Sequence, residues 1–275
     1  MNIGEICVSR LINPCPYHID ENYNNLIKIL KLIIMTLTIF KAQIQKLNEK
    51  IIKMTEDDPF IDGPLNEEEY YYSRPYRILW LMKEAYGEPI SYPKFYQNEY
   101  SKFYKELIMG PRPSSWVPVV YITYSIFNNF KTWEQMEYIE NDPEMVKILS
   151  KVAWININKL PSLTGSHSPY LNIKIASEKY NEILQEQIKL LKPNIVICGN
   201  TFEFLKKDLG FPKECKYNSE ELFVPHYNIN NTLYIDPYHP GCTHRGSIGI
   251  GLYINDIIRT IKKYFASVPL VYEKI

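Results

Sequence analysis

Short apolar runs alternate with longer amphipathic stretches along most of this chain. Four runs have the length and composition of buried strands, and they lie at 77–82, 152–157, 194–198 and 232–235. Stretches with helical periodicity separate or follow them, at 96–108, 121–130, 177–191, 202–209 and 247–265. Strands that are apolar on both faces and alternate with helices are typical of parallel sheets. The pattern predicts a three-layer α/β/α sandwich with a central, mostly parallel, four-stranded sheet.

The first 55 residues follow a different pattern. Residues 26–40 are largely apolar, but Lys28 and Lys31 interrupt them. The uncharged run that remains is shorter than the ~20 residues of a membrane span, and no signal-peptide cleavage pattern follows it. Two interpretations stay open: a long amphipathic helix that packs on the domain or on a partner, or a true start at Met54.

An acidic segment joins the two patterns at 56–69. It contains two prolines and a glycine, which disfavour regular elements, so we expect a linker there. The sequence therefore predicts three parts: a helical N-terminal extension at 1–55, the acidic linker at 56–69, and an α/β domain at 70–275.

Composition narrows the possible functions. The chain has 275 residues, of which 45% are hydrophobic and 23% charged, as in ordinary globular proteins. Its 31 basic and 31 acidic residues balance, which argues against a broad electrostatic footprint on nucleic acid. The five cysteines include no C-x-x-C pair, which argues against a zinc ribbon, an iron–sulfur cluster or a disulfide framework. We expect a cytoplasmic monomer that uses no cofactor and no metal, away from any membrane.

Polar residues of catalytic type follow three of the four predicted strands. Glu84 follows the first, Asn156 and Asn158 end or follow the second, and His239 follows the fourth. Parallel sheets bind ligands outside the carboxyl ends of their strands. We therefore expect these side chains to form one site.

Four short segments surround these residues. They are Lys-Glu-Ala-Tyr-Gly at 83–87, Ile-Asn-Ile-Asn-Lys at 155–159, Lys-Pro-Asn-Ile-Val-Ile-Cys-Gly at 192–199, and His-Pro-Gly at 239–241. In order and approximate spacing they resemble the motifs of the uracil-DNA glycosylase superfamily. The chain departs from that pattern at Lys83, where glycine is usual, at Tyr86, where many members have proline, and at Gly241, where serine or threonine is common. The resemblance is therefore to a divergent branch.

The resemblance implies a DNA glycosylase of base-excision repair, which removes uracil or a related damaged base from a flipped nucleotide in single- or double-stranded DNA. Glu84 would orient water and offset positive charge at C1′, and His239 would stabilise the anionic leaving base. Asn156 would read the base edge, with Asn158 as a competitor for that role. Lys83 could instead attack C1′ and form a Schiff base.

Other contacts to the substrate follow from the same resemblance. An aromatic ring that stacks on the base would come from Tyr86, Tyr92 or Phe95. A phosphate would approach the start of the last helix, through backbone N–H groups and nearby side chains. The predicted DNA contacts are Lys159, Gly241, Thr243, Arg245, Gly246 and Ser247.

Two further functions remain open. The fold could be retained without catalysis, as a nucleic-acid- or nucleotide-binding module in phage defence or nucleic-acid sensing, and the zero net charge favours this alternative. The chain could also be an unrelated α/β hydrolase that acts on small nucleotides. The intact combination of Glu84, Asn156 and His239 favours the glycosylase.

Overall fold

A computed structural model describes residues 21–55, 57–110, 115–162, 168–205, 208–209, 224–244 and 249–268. The chain divides into two compact units, one ending at Ala42 and the other beginning at Gln43. A long helix, α1 (Glu21–Met54), runs from the first unit into the second. Among the described residues, no helix combines the length and the apolar character that crossing a membrane requires.

The described strands of the second unit form one six-stranded sheet. They are β1 (Gly63–Pro64), β2 (Ile78–Met82), β3 (Val152–Asn156), β4 (Ile195–Cys198), β5 (His226–Ile229) and β6 (Thr232–Ile235). Their order is β1-β3-β2-β4-β6-β5. The four central strands are parallel, whereas β1 and β5 pair antiparallel at the two edges. The four predicted parallel strands are confirmed, but the sheet is mixed and has six strands rather than four.

Helices connect and cover these strands. The α-helices after α1 are α2 (Glu67–Tyr71), α3 (Tyr92–Asn98), α4 (Tyr100–Phe103), α5 (Trp116–Phe127), α6 (Tyr170–Lys179), α7 (Asn181–Leu191) and α8 (Ile250–Ser267). A π-helical turn at Tyr104–Ile108 extends α4. Short 3₁₀ helices lie at Trp133–Gln135, Pro143–Lys151, Phe202–Phe204 and Pro240–His244.

Three predicted helices differ in kind from the observed ones. The stretch predicted as one helix at 96–108 comprises the end of α3, all of α4 and the π-helical turn. The stretch predicted as one helix at 177–191 consists of α6 and α7, and α6 begins seven residues earlier, at Tyr170. The helix predicted at 202–209 is a 3₁₀ turn, Phe202–Phe204, in its described part. A single turn gains too few hydrogen bonds to offset the nucleation cost of an α-helix. Local sequence therefore does not determine whether so short a segment forms an α-helix or a 3₁₀ turn.

Both faces of the central strands are buried. Every residue of β2, β3 and β4 has almost no solvent exposure. One face carries Trp80 and Trp154 and packs against buried residues of α5 and α8. Alternate residues such as Leu81 and Ile155 point to the other face and are equally buried. Burial on both faces is the arrangement expected of an α/β sandwich.

The segment predicted as an acidic linker is part of this fold. Phe60, Asp62 and Leu65 are buried, and β1 pairs with β3 through Gly63 opposite Trp154. The apolar residues between the acidic ones fill the edge of the core, so the segment cannot act as a solvated spacer. The domain therefore begins before residue 70.

The C-terminal part of α1 also belongs to the second unit. Ile44 and Ile51 are buried within it. Lys50 Nζ binds carboxylates of α7, 2.6 Å from Glu186 and 3.0 Å from Glu182. Residues 43–54 thus pack within the second unit.

The strand order places a ligand-binding edge at the middle of the sheet. From β2 the chain crosses to β3 on one side and then returns past β2 to β4 on the other. In open α/β sheets, ligands bind at the carboxyl ends of the strands where such a reversal occurs. In this chain that point lies between β2 and β4.

Candidate functional site

Hydrogen bonds extend the pairing of β2 and β3 beyond the strands themselves. The Ile157 N–H donates to the Met82 carbonyl at 2.8 Å, and the Asn158 N–H donates to the Lys83 carbonyl at 2.8 Å. The two chains therefore remain adjacent past the last strand residues. This brings Glu84, which follows β2, beside the polar residues that follow β3.

Among the described residues, one carboxylate oxygen of Glu84 has a hydrogen-bond partner and the other has none. The side chain is buried, with a residue exposure of 9%. Its Oε2 accepts a hydrogen bond from Asn158 Nδ2 at 3.1 Å. Its Oε1 is buried and receives no hydrogen bond from the part of the chain that the structure describes. A buried polar atom without a partner is unfavourable, so this oxygen is a natural acceptor for a bound water or ligand.

Asn156 shows the same incomplete bonding. It is 1% exposed, and its Oδ1 accepts from the indole N–H of Trp154 at 3.3 Å. Because an indole nitrogen can only donate, this contact fixes which end of the amide faces Trp154. The Nδ2 group is buried and finds no acceptor among the described residues. Asn156 therefore presents an unused donor.

The two asparagines have different roles in the structure. Asn158 uses both ends of its amide, since Nδ2 binds Glu84 and Oδ1 accepts from the Leu160 N–H at 3.2 Å. It can hold Glu84 in place, but its amide is already engaged. Asn156 is therefore the better candidate for reading a base.

Lys159 is not a surface cation, and its predicted contact with DNA is wrong. The residue is fully buried, and Nζ donates to Asp62 Oδ1 at 3.1 Å, to Asp62 Oδ2 at 2.9 Å and to Gln187 Oε1 at 2.9 Å. These three bonds use all three ammonium donors. Burial lowers the pKa of Lys159, whereas the charge of Asp62 acts to raise it.

Asp62 connects this buried cluster to the candidate site. Its Oδ2 accepts from the backbone N–H of Asn156 at 2.8 Å, and its Oδ1 accepts from Gln187 Nε2 at 2.8 Å. The Asn156 backbone is thus anchored to the buried cluster of Asp62, Lys159 and Gln187. Sequence analysis missed Asp62 and Gln187, because one lies in the presumed linker and the other on a helix with ordinary amphipathic spacing.

His239 lies in the turn after β6 and is half-buried. Its Nδ1 accepts the Gly241 N–H at 3.1 Å. In the neutral ring the proton is then on Nε2, which makes that nitrogen a donor. The bond stabilises the turn and also sets the tautomer that an oxyanion would require.

The start of α5 connects the Asn156 side of the site to the His239 turn. The ring of Trp116, the first residue of α5, stacks on Trp154 at 3.9 Å. A Cβ built on Gly241 would lie 3.3 Å from Ser115 Oγ and 3.1 Å from His239 Nδ1. A side chain at 241 would press on both groups, so the close packing favours glycine at this position.

Gly199 provides a second close approach, at the end of β4. A Cβ on this residue would lie 2.7 Å from Met82 Sδ and 3.4 Å from Pro240 Cδ. The His239-Pro240 turn is therefore packed against the ends of β2 and β4. His239 follows a strand that is two strand spacings, each ~4.8 Å, away from β2.

Only one of the three predicted stacking rings is accessible. Tyr92 is in the core, 5.6 Å from the Phe60 ring and 5.6 Å from the Trp116 ring, and burial raises its pKa. Phe95 is also buried. The prediction that Tyr92 or Phe95 stacks on a base is therefore wrong, because both rings face the core. Tyr86 is 43% exposed, and its hydroxyl lies 3.1 Å from Ser168 Oγ.

Two of the predicted phosphate contacts already form other hydrogen bonds within the turn after β6. The Gly241 N–H is bonded to His239, and the Thr243 hydroxyl donates to the Pro240 carbonyl at 2.9 Å. Arg245, Gly246 and Ser247 lie outside the described residues. Helix α8 begins at Ile250, later than predicted.

Lys83 is half-buried beside Glu84. Burial lowers its pKa, while Glu203, Glu84 and Asp236 act in the opposite direction. A lowered pKa increases the fraction of neutral amine, which is the nucleophilic form. The prediction that Lys83 could form a Schiff base therefore stays open.

A cavity of about 370 Å³ adjoins the neighbouring β4–β6 edge, with Asn200 and Asp236 in its wall. Among the described residues there is no group of three or more His, Cys, Asp or Glu side chains that could bind a metal.

Neither protein-family models nor curated proteins give a match to this chain. The resemblance to uracil-DNA glycosylases therefore rests on the four sequence segments and remains a prediction.

Proposed function

We propose that this protein is a DNA glycosylase that hydrolyses the N-glycosidic bond of uracil or a related damaged base. One observation carries the proposal: Glu84 and Asn156 each bury a polar atom that no described residue satisfies. Glu84 follows β2 and Asn156 ends the adjacent strand β3, and β2 borders the reversal point of the sheet. An acceptor and a donor left open at such an edge fit a polar ligand that supplies the missing partners.

The open carboxylate oxygen of Glu84 suits the activation of water. Glu84 would accept a proton from a water molecule whose oxygen bonds to C1′ of the sugar. The C1′–N bond breaks as this bond forms, and its electron pair leaves with the base. The negative charge of Glu84 also offsets the positive charge that develops on the sugar. Asn158 would hold the carboxylate in this orientation.

His239 and Asn156 suit the recognition of the base. The Nε2–H of His239 would donate to an oxygen of the departing base and stabilise its negative charge. Asn156 Nδ2 would donate to a carbonyl oxygen on the pyrimidine edge. Uracil and thymine have such an acceptor at position 4, whereas cytosine has an amino donor there. The Trp154 contact, which holds the amide in one orientation, would therefore disfavour cytosine.

An oligonucleotide assay tests the proposal. The purified protein is incubated with single- and double-stranded oligonucleotides that contain one uracil, and hot alkali then cleaves the strand at abasic sites. We expect cleavage by the unaltered protein and a rate about 10²–10⁴-fold lower for Glu84→Gln and for His239→Ala. Glu88→Gln is the matched control, since Glu88 is exposed in the same loop.

The stability of Glu84→Gln provides an independent measurement. The glutamine keeps an acceptor for Asn158 and removes a buried negative charge, so we expect unchanged or increased thermal stability together with the lost activity. Absence of cleavage with uracil, hydroxymethyluracil, hypoxanthine and xanthine would refute the glycosylase. Cleavage without alkali that disappears in Lys83→Gln would instead indicate a lyase.

A non-catalytic nucleotide-binding module is the second candidate. It is favoured by the burial of Lys159, which removes one predicted phosphate contact from a chain whose net charge is already zero. In that case uracil-containing DNA or a nucleotide would bind without being cleaved, and Asn156→Ala would weaken binding whereas Glu84→Gln would not.

A further inference from the structure

A second cavity lies at the opposite edge of the sheet, where β2, β4 and β6 begin. Its volume is about 510 Å³, within the ~300–1,000 Å³ range of small-molecule sites. Arg74, Arg77, Lys189 and Lys192 line it, and no carboxylate does so among the described residues. Four cationic side chains around one cavity favour an anionic ligand.

The walls of this cavity are held in place by hydrogen bonds. Asn194 Oδ1 accepts the Arg77 N–H at 2.8 Å, its Nδ2 donates to the Pro75 carbonyl, and its own carbonyl accepts the Leu233 N–H at 3.0 Å. One residue thus connects the starts of β2, β4 and β6. The Arg77 guanidinium also donates to the Tyr71 carbonyl at 3.0 Å and lies over the Tyr71 ring. The cavity is therefore formed before any ligand binds.

The rest of the lining is apolar or carries amides. Ile188, Leu209 and Ile229 provide an apolar wall. Asn230 and Asn231 form the two-residue turn between β5 and β6, with φ angles of 51° and 63°, and both line the cavity. Cations, an apolar wall and amide groups together match a ligand with a phosphate, a flat ring and ring hydrogen-bonding groups.

We propose that this cavity binds a small phosphate-bearing anion with the chemistry of a mononucleotide. The proposal does not depend on the proposed glycosylase activity. The five residues of β2 place the cavity roughly 15 Å from the Glu84 edge, so its ligand is an effector and not the substrate. A cavity of this volume favours a small ligand over a nucleic-acid strand, which would follow an extended basic surface.

Calorimetric titration of the full-length protein with AMP tests this proposal, with adenosine as the ligand that lacks the phosphate. We expect saturable AMP binding and at least about tenfold weaker binding of adenosine. The double variant Lys189→Glu/Lys192→Asn should weaken AMP binding at least about tenfold. Asparagine is chosen because Lys192 has a φ of 45°, which asparagine tolerates. The matched control, Lys174→Glu/Lys262→Asn, changes the net charge equally at exposed positions and should keep the AMP affinity.

Location is checked separately from affinity. Amide NMR shifts of Asn230 and Asn231 should move on addition of AMP, and Glu84→Gln should leave the AMP affinity unchanged. The proposal is overturned if AMP does not bind, if the Lys189/Lys192 variant binds it as well as the unaltered protein, or if Glu84→Gln abolishes binding. Binding of a thymidine oligonucleotide but not of AMP, lost in the same lysine variant, would also overturn it and indicate a nucleic-acid surface.

Discussion

Replacement of Lys159 by methionine tests whether the buried cluster beneath the candidate site stabilises the fold. Lys159→Met removes three hydrogen bonds, two to Asp62 and one to Gln187. Among the described residues, the buried Asp62 carboxylate then keeps two donors, the Asn156 N–H and Gln187 Nε2. Removal of one partner from a buried ion pair costs about 3–5 kcal/mol, which is a large part of the ~5–15 kcal/mol that holds a typical domain folded.

A second variant separates the charge of Asp62 from the packing of Lys159. In Asp62→Asn/Lys159→Met the amide has no charge, and its oxygen can still accept the Asn156 N–H. We expect this double variant to recover at least half of the stability that Lys159→Met loses, because a buried pair replaced as a whole is often close to neutral.

Urea unfolding followed by circular dichroism measures both effects. With an m value of ~3 kcal/mol per molar urea, Lys159→Met should lower the unfolding midpoint by roughly 1–1.7 M. The exposed control Lys174→Met should stay within about 0.5 kcal/mol of the unaltered protein. The reasoning is refuted if Lys159→Met costs less than about 1 kcal/mol, or if the added Asp62→Asn change brings no recovery.

Three further predictions concern the fold around the two edges of the sheet. Gly199→Ala should lower the free energy of unfolding by about 1–3 kcal/mol in urea unfolding, because its Cβ would overlap the methionine sulfur at the end of β2. The control Gly249→Ser, whose Cβ meets open space, should not lower it. Asn231→Val should destabilise the protein by about 1–2 kcal/mol relative to Asn231→Gly, because φ is 63° there; equal stability of the two variants would contradict the turn. Burial raises the pKa of Tyr100 and Tyr234 to about 12, above the unfolded value of 10.0. Their stabilisation should therefore be complete below pH 10 and lost as the pH rises through 12. The difference in phenolate absorbance at 295 nm between the unaltered protein and Tyr100→Phe/Tyr234→Phe should appear together with unfolding; such a difference in the folded protein at pH 10–11 would contradict it.

The central part of the sheet was predictable because its strands are apolar on both faces. The run at 194–198 contains three consecutive β-branched residues, Ile195, Val196 and Ile197, which favour a buried strand. The edge strands carry no such signal. β5 alternates polar and apolar residues and is only partly buried, and β1 has two residues. The Asn230-Asn231 pair was the available indication of a hairpin.

The candidate site was predictable in its positions but not in its supporting contacts. Strand ends located Glu84, Asn156 and His239, because parallel strands end at a common edge. The burial of Lys159 was not predictable, since its partner Asp62 lies 97 residues earlier in the chain. Local sequence holds no information about such a pairing, and a lysine after a strand is ordinarily exposed.

The hydrogen bond from the Asn156 N–H to Asp62 also has a consequence for the order of folding. It joins residues 94 positions apart, and the bond between Gln187 and Asp62 spans 125 positions. Contacts of such long range form late, because the intervening chain must first be ordered. The Asn156 amide should therefore exchange with deuterium only when the whole domain opens, among the slowest amides of the protein. The Asn156 side chain would then be among the last parts of the molecule to become ordered and among the last to be lost.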